Sequence, residues 1–323
     1  MKPAEIVVVG SYNRDVVLSV AHLPAPGETC LGLGRLESPG GKGSNQAVQA
    51  ARCGARTAML AAIGADAAGD EALAIWAATG IEVSGIVRLA DQGTGMAVIL
   101  VDARGENSIV VDSGANAHLA PEHIEASAAM IASARLVVAQ LETPAAATAR
   151  AFAIARAAGV VTLLNAAPAP EAIEAGLLAL TDILVVNEVE GHALSGRREP
   201  PAIGEALLGQ VGAAVIVTLG GQGAILFEKH QAPYARGAHP VQVVDTTGAG
   251  DAFIGAFAGR LATTGDTKAA LEWGLAAGAL ACGAIGAAAS FADAGRIRIL
   301  ADTARTAIGA GAAPASWRVT RQE

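Results

Sequence analysis

Two hydrophobic periods alternate along this chain. Short β-branched runs such as Ile6–Val9, closed by Gly10, predict strands, and longer stretches with apolar positions three and four apart predict helices. Val16–Val20 reads as a second strand. It is followed by the Gly/Pro-rich stretch "LPAPGETCLGLGRLESPGGKGSN", which suits short strands and turns. A helix is predicted from Ser44-Asn45 through "QAVQAARCG", with Gly54 as its C-cap. "TAMLAAIG" is strand-like, "AGDEALAIWAATG" is helical up to Gly80, and "GMAVILVD" and "GENSIVV" form a hairpin around "ARGE".

From Pro121 the rhythm becomes regular. Helix "PEHIEASAAMIAS" is followed by strand "ARLVVAQ", helix "TPAAATARAFAIARAAG" and strand "VVTLLNAAP". Then come helix "EAIEAGLLAL", strand "DILVVN", helix "EVEGHALSG", a helix near Gly204–Val211 and strand "AVIVTLG". A hairpin-like "GAILFEKHQAPYAR" precedes the loop "VDTTGAGD" and a long helix over Asp251–Leu261. Strands alternating with helices predict an α/β protein with a doubly wound, mostly parallel sheet flanked by helices. Segments near residues 11–40 and 93–113 break the alternation with β-like pieces, which suits a small separate β layer. No internal repeat is visible, and residues 301–323 read as a tail, ordered at most in part.

The 323 residues suffice for one large or two smaller domains. With 52% hydrophobic and 16% charged residues, the chain reads as compact and globular. A net charge of -8 and no Lys/Arg cluster argue against nucleic acid as a partner. "EIVVVG" is too short for a secretory signal and reads as a strand. The low-charge stretch Gly274–Asp293 is rich in small residues, so we expect a buried helix followed by a loop there and no membrane span. Cys30, Cys53 and Cys282 are scattered and odd in number. They show no Cys-x-x-Cys or His/Cys metal spacing, and they fit a reduced, cytoplasmic protein.

Ligands of open α/β sheets sit at the carboxyl ends of the strands, where three glycine-rich loops are expected. "TLGGQG" (Thr218–Gly223) is either a close backbone approach to a ligand or a plain hairpin turn. In "DTTGAGD", Gly248, Ala249 and Gly250 carry almost no side chain at a helix start, so free N–H groups and the helix dipole suit an anion. Asp251 there is either an N-cap or, with a hydroxyl beside it, a general base. "PGGKGSN" (Pro39–Asn45) lacks the GxxxxGK[ST] spacing of a P-loop. Its glycines, Lys42 and Asn45 suit a hydroxyl-rich ligand or a capped helix start. Asn13 and Asp15, two apart, share a face if extended and could bind vicinal hydroxyls. Glu142 in "QLETP", and Asn187 and Glu190 in "NEVE", stand at strand ends, where capping is the plainer role.

Together these pieces resemble the PfkB carbohydrate-kinase family, and its bacterial ribokinase branch most. The resemblance runs from about Ile6 to about Leu300. "GSYNRD" is similar to the N-terminal sugar motif, "PGETCLG…GGKGSNQAVQAARCGA" to the first family signature and "VDTTGAGDAFIGAF" to the second, with "QLETP", "VVNEVE" and "TLGGQG" in the expected order. The resemblance implies a ribokinase-like fold with a small β-sheet lid, made from the two β-like segments, that also pairs subunits in a homodimer. It implies transfer of the γ-phosphoryl group of ATP to a sugar, D-ribose first, giving D-ribose 5-phosphate.

By motif position, Asn13, Asp15, Gly41, Lys42, Asn45 and Glu142 would bind the sugar. Asp251 would be the base, and Gly248, Ala249 and Gly250 the anion hole. Asn187, Thr218, Gly220, Gly223 and Gly250 would meet the nucleotide, and Glu190 would hold Mg²⁺ through water. An activating K⁺ would lie at Asp245, Thr247, Ala281, Ala284, Gly286 and Ser290.

Three positions depart from the family pattern. Leu275 stands where a polar or ring side chain is common near adenine, no proline precedes Ser290, and Ser44 replaces an alanine. The alternatives are a kinase of the same fold for 2-deoxyribose, another sugar or a nucleoside, and a non-catalytic sugar sensor. A dinucleotide oxidoreductase is disfavoured because no GxGxxG follows the first strand.

Overall fold

The structure, a computed structural model, describes residues 3–169 and 172–307. The strands are β1 Ile6–Val9, β2 Asn13–Val20, β3 Gly32–Gly40, β4 Thr57–Gly64, β5 Glu82–Leu89, β6 Gly95–Val101 and β7 Asn107–Asp112. They continue with β8 Leu136–Ala139, β9 Val161–Asn165, β10 Ile183–Asn187, β11 Ala214–Thr218, β12 Ala224–Glu228 and β13 Tyr234–Arg236. The helices are α1 Lys42–Arg52, α2 Ala67–Ala78, α3 Pro121–Glu125, α4 Ala128–Ser133, α5 Ala145–Ala157 and α6 Ala175–Ala179. They continue with α7 Glu188–Ser195, α8 Pro200–Leu208, α9 Ala249–Thr264, α10 Thr267–Ala281 and α11 Ala294–Ala307.

Among the described residues, nine strands form the main sheet in the order β13-β12-β11-β10-β9-β8-β1-β4-β5. All its pairings are parallel except those of β12 with β11 and β13. The period-2 alternation of β1 explains why both faces are covered. Ile6 and Val8 enter one core with Trp76, Phe253, Phe257 and Leu271, whereas Val7 and Val9 enter the other with Phe152, Ile203 and Leu207. The second sheet has the order β3-β2-β6-β7 and is the separate β layer expected from segments 11–40 and 93–113.

Four differences from the sequence reading concern single elements. Strand β5 was not expected, because Gly85 interrupts its apolar run; in the structure the Leu60 side chain packs where a Cβ of Gly85 would stand. The helix expected over 121–133 is two short ones, split at Ala126-Ser127, where the Ser127 N–H donates to the Ile124 carbonyl. The helix expected over 171–180 is helical only over Ala175–Ala179 among the described residues. Helix α1 begins at Lys42 because Gly41, at φ 87°, turns the chain into it, and because Gly43 lies against the backbone of Gly10 and Ser11 with no room for a Cβ. The stretch 274–293 is the rest of buried α10 followed by a loop, and no helix among the described residues is long and apolar enough to cross a membrane. Of the expected tail, residues 301–307 continue α11, and 308–323 lie outside the described residues.

Candidate active site

The carboxyl ends of β1, β8, β9, β10 and β11 converge on the N-terminus of α9. Asp251 is the third residue of that helix, behind the N-cap Gly248 at φ 75°. Its side chain does not cap. It is buried, and its Oδ2 accepts from Asn45 Nδ2 at 2.9 Å and its Oδ1 from Gln46 Nε2 at 3.0 Å. Gln46 Nε2 also donates to Asn165 Oδ1 at 3.0 Å, and Gln46 Oε1 accepts from Gln140 Nε2 at 2.7 Å. Burial raises the pKa of Asp251 above the usual carboxylate range, against the opposing pull of Lys42 and the two amides.

The N–H groups of the first helical turn have no intrahelical acceptor. Among them, the Ala249 N–H donates to the Thr246 carbonyl at 3.2 Å.

One side of Asp251 is polar. Lys42 opens α1, and its N–H donates to Glu142 Oε2 at 2.9 Å, an oxygen that also accepts from Ser11 Oγ. Gly41 packs against the backbone of Tyr12 and Asn13, and Gly40 against the Asp15 carboxyl, with no space for a Cβ at either. Asn13 Oδ1 accepts from buried Asn116 Nδ2 at 2.8 Å, which fixes the orientation of the Asn13 amide. Asp15 is pushed up to about 6, first by burial and then by the nearby Glu142 and Asp251 charges. The Lys42 ammonium is opposed by burial, but Asp251, Glu142, Glu190 and Asp15 together raise its pKa, so it stays charged.

The other side is a cleft of about 410 Å³. Asn187, Glu190, Thr218, Gly220 and Gly223 line it, with an apolar wall from Val241, Val243, Phe253 and Leu275. Asn187 and Glu190 form a reciprocal cap: Glu190 N–H donates to Asn187 Oδ1 at 2.8 Å and Asn187 N–H to Glu190 Oε2 at 2.9 Å. They therefore do both things considered for them, capping α7 and facing the cleft. Burial raises the Glu190 carboxyl pKa. Gly223, at φ 109°, abuts the Arg236 carbonyl, so its turn is fixed by the β12–β13 hairpin.

Asp245 Oδ1 accepts from the N–H and Oγ1 of Thr247, at 2.9 and 2.7 Å, and Oδ2 from the Gly286 N–H at 2.8 Å. Burial opposes ionisation of Asp245, but these donors outweigh it and lower the pKa. They also bring together the 245–247 and 281–290 segments, with Ser290 Oγ turned onto the Ala287 carbonyl at 2.8 Å. Ala284 N–H reaches the Ala281 carbonyl at 3.4 Å in the same turn. Ser44 has a structural reason: its Oγ accepts from Trp76 Nε1 at 3.0 Å, a bond no alanine could make.

Gln46, Gln140, Asn165, Ser11 and Asn116 were not singled out from sequence. Gln140 and Asn165 are polar residues at carboxyl ends of neighbouring strands, a signal that marks such sites as a group. A larger cavity, about 770 Å³, opens at the opposite, amino ends of the strands between Arg135, Arg156 and Thr264. Its Arg156 is paired with Asp182 at 2.7 Å, its Arg135 donates to the Ala262 carbonyl at 3.0 Å, and none of the residues singled out from sequence lines it.

The profile of the pfkB family carbohydrate kinases matches residues 3–294. The chain is 40% identical over 293 residues to a ribokinase of Staphylococcus aureus (88% of this chain, 96% of that one). It is 39% identical over 290 residues to a ribokinase of Haemophilus influenzae (88% and 94%). The fold is similar to that of Arabidopsis thaliana ribokinase complexed with ribose and ATP, with TM-score 0.86 and 31% identity over 93% of this chain and 99% of that one. With the site gathered at the switch point of a doubly wound sheet and this similarity spanning nearly its whole length, the chain belongs to the pfkB family of carbohydrate kinases.

Proposed function

We propose that this protein transfers the γ-phosphoryl group of ATP to the 5-hydroxyl of D-ribose, forming D-ribose 5-phosphate and ADP. One arrangement carries the proposal: a buried, amide-anchored Asp251 lies between the polar side chains of Asn13, Asp15, Lys42, Asn45 and Glu142 and the cleft edged by Asn187, Thr218, Gly220 and Gly223. The sugar hydroxyls donate to Asp15 and Glu142 and accept from Asn13 and Lys42, with Gly41 allowing close backbone approach. Asp251, made more basic by burial, takes the proton of the attacking hydroxyl. The Gly250 and Asp251 N–H groups and Lys42 stabilise charge on the transferring phosphoryl group.

Oxygen donors suit hard cations, and Glu190 keeps Oε1 clear of its cap, so it would hold Mg²⁺ through water. Mg²⁺ neutralises phosphate charge when bound. The Asp245 carboxylate, Thr247, and the carbonyls of Ala281, Ala284, Gly286 and Ser290 would hold K⁺ beside the start of α9. We further propose that a second copy covers the exposed apolar face of the lid that carries Leu36, Ile109 and Val111, as a homodimer. A reduced cytoplasmic setting suits the free cysteines.

The test is ATP consumption across ribose, 2-deoxyribose, other sugars and nucleosides, with and without K⁺. Ribose is expected to give the highest kcat/KM and K⁺ to raise the rate. Asn13 and Asp15 gain from a 2-hydroxyl that deoxyribose lacks, so a preference for deoxyribose or a nucleoside would overturn the ribose assignment.

A second prediction concerns pH. Only the ionised Asp15 accepts two hydroxyl donors, and its pKa stands at about 6. The KM for ribose should therefore rise as pH falls through about 6 in the parent enzyme, and stay flat over that window in Asp15→Asn. A parent KM flat from pH 7 to 5 would count against the role of Asp15.

A further inference from the structure

The lid carries a cluster of metal-ligating side chains, His22, Glu28 and Cys30, none of which is assigned to phosphoryl transfer. It lies in the connection between β2 and β3. The pairing of Val20 with Gly32, continued two residues along each strand, brings His22 opposite Cys30. Cys30 Sγ lies 3.6 Å from His22 Nε2 and 3.8 Å from the His22 carbonyl oxygen. The tip "APGE" is a type II turn. Pro26 sits at its second position, Gly27 has φ 83°, and the Glu28 N–H closes it on the Ala25 carbonyl at 2.9 Å. The turn sends the Glu28 side chain back over the hairpin. Its Oε2 is held by the Ala25 N–H at 2.9 Å, and its Oε1 meets His22 Nε2 at 2.7 Å.

The same imidazole nitrogen therefore faces both the thiol and the carboxylate. A nucleophilic triad uses the two ring nitrogens for two partners; here three donors of different chemistry face one point. All three ligand atoms lie within 4.8 Å of one another, and His22 and Glu28 are open to solvent. In a tetrahedral zinc site, ligand bonds of 2.0–2.3 Å place neighbouring donors about 3.5 Å apart. The sulfur–nitrogen pair is already at that separation, and the nitrogen–oxygen pair needs to open by under about 1 Å. Ala25 holds the carboxylate from its far side, as supporting groups do around metal ligands.

We propose that His22, Glu28 and Cys30 bind one Zn²⁺ in the lid, with water as the fourth ligand. On binding, the Cys30 thiol releases its proton to solvent. The His22 ring proton moves from Nε2 to Nδ1, so that Nε2 offers its lone pair. A thiolate and a carboxylate then balance the charge of the ion. The mixed nitrogen, sulfur and oxygen set favours Zn²⁺ over the hard Mg²⁺ that accompanies ATP. No Cys-x-x-Cys or His/Cys spacing announces the cluster, because a hairpin rather than a helical turn assembles it. The ion would tie β2 to β3 at the end of the lid away from Asn13 and Gly40.

The test is equilibrium dialysis of the full chain against Zn²⁺ in excess Mg²⁺, with Co²⁺ as a spectroscopic probe. The parent should bind one equivalent, show thiolate-to-cobalt charge-transfer absorption and melt at a higher temperature with Zn²⁺. Cys30→Ser should lose the absorption, and the double variant His22→Ala/Cys30→Ser should lose the bound equivalent, both while phosphorylating sugar at the parent's rate. The result that would overturn the proposal is a parent that binds no Zn²⁺ above the double variant, or a Co²⁺ spectrum unchanged by Cys30→Ser.

Discussion

Replacing Asp251 by Asn should lower kcat for ribose by about 10²–10⁴-fold, an added barrier of about 3–5 kcal/mol, while leaving the KM for ATP near that of the parent. The side chain keeps its shape, so packing is preserved, but it can no longer take a proton. The protein should not be destabilised, because burial is what opposes the Asp251 charge and a neutral amide removes that cost. The new amide can still offer one oxygen to Asn45 or Gln46, which now reach the two carboxylate oxygens. Steady-state kinetics with a thermal melt separates the two effects. A variant retaining more than a tenth of the parent kcat would show that Asp251 is not the base.

Gly248→Ala should be nearly as damaging, by a different route. Gly248 stands at φ 75°, which costs an alanine about 1–2 kcal/mol. The added Cβ would also lie 2.7 Å from the Ala287 Cβ and 2.8 Å from its Cα. One of these two backbones must move. If α9 moves, the Gly250 and Asp251 N–H groups leave their places, and loss of one such donor costs about 10²–10³-fold in kcat. If the 286–290 segment moves, the Gly286 bond to Asp245 is broken. Gly250→Ala is the control for folding, since a Cβ there meets nothing within 4 Å, and it should melt with the parent. Equal melting temperatures and equal kcat for Gly248→Ala and the parent would contradict this account.

Much of the architecture could be read from the chain because its main sheet is built from short β-branched runs between helices of ordinary length. Strand β5 escaped because Gly85 and a half-buried edge position weaken the apolar pattern. The site was legible where backbone geometry demands a residue type. Gly41 and Gly248 both have positive φ, and each opens a helix that carries functional groups. It was illegible where function depends on tertiary contacts between ordinary polar residues. Nothing local in "QLETP" or "LLNAAP" says that Gln140 and Asn165 meet at Gln46, nor that Asn116 orients Asn13 from over 100 residues away. That Asp251 does not cap its own helix was likewise visible only in where its side chain goes: to Asn45 and Gln46, across the molecule.

The most direct measurement is a ¹H–³¹P correlation spectrum of the product formed by the purified protein from ATP, Mg²⁺ and an equimolar mixture of ribose, 2-deoxyribose and a nucleoside. The account predicts one dominant phosphate ester, coupled to the C5 protons of ribose and equal in amount to the ADP formed. A phosphate carried mainly by the nucleoside or by 2-deoxyribose, or ADP formed without any sugar ester, would contradict it.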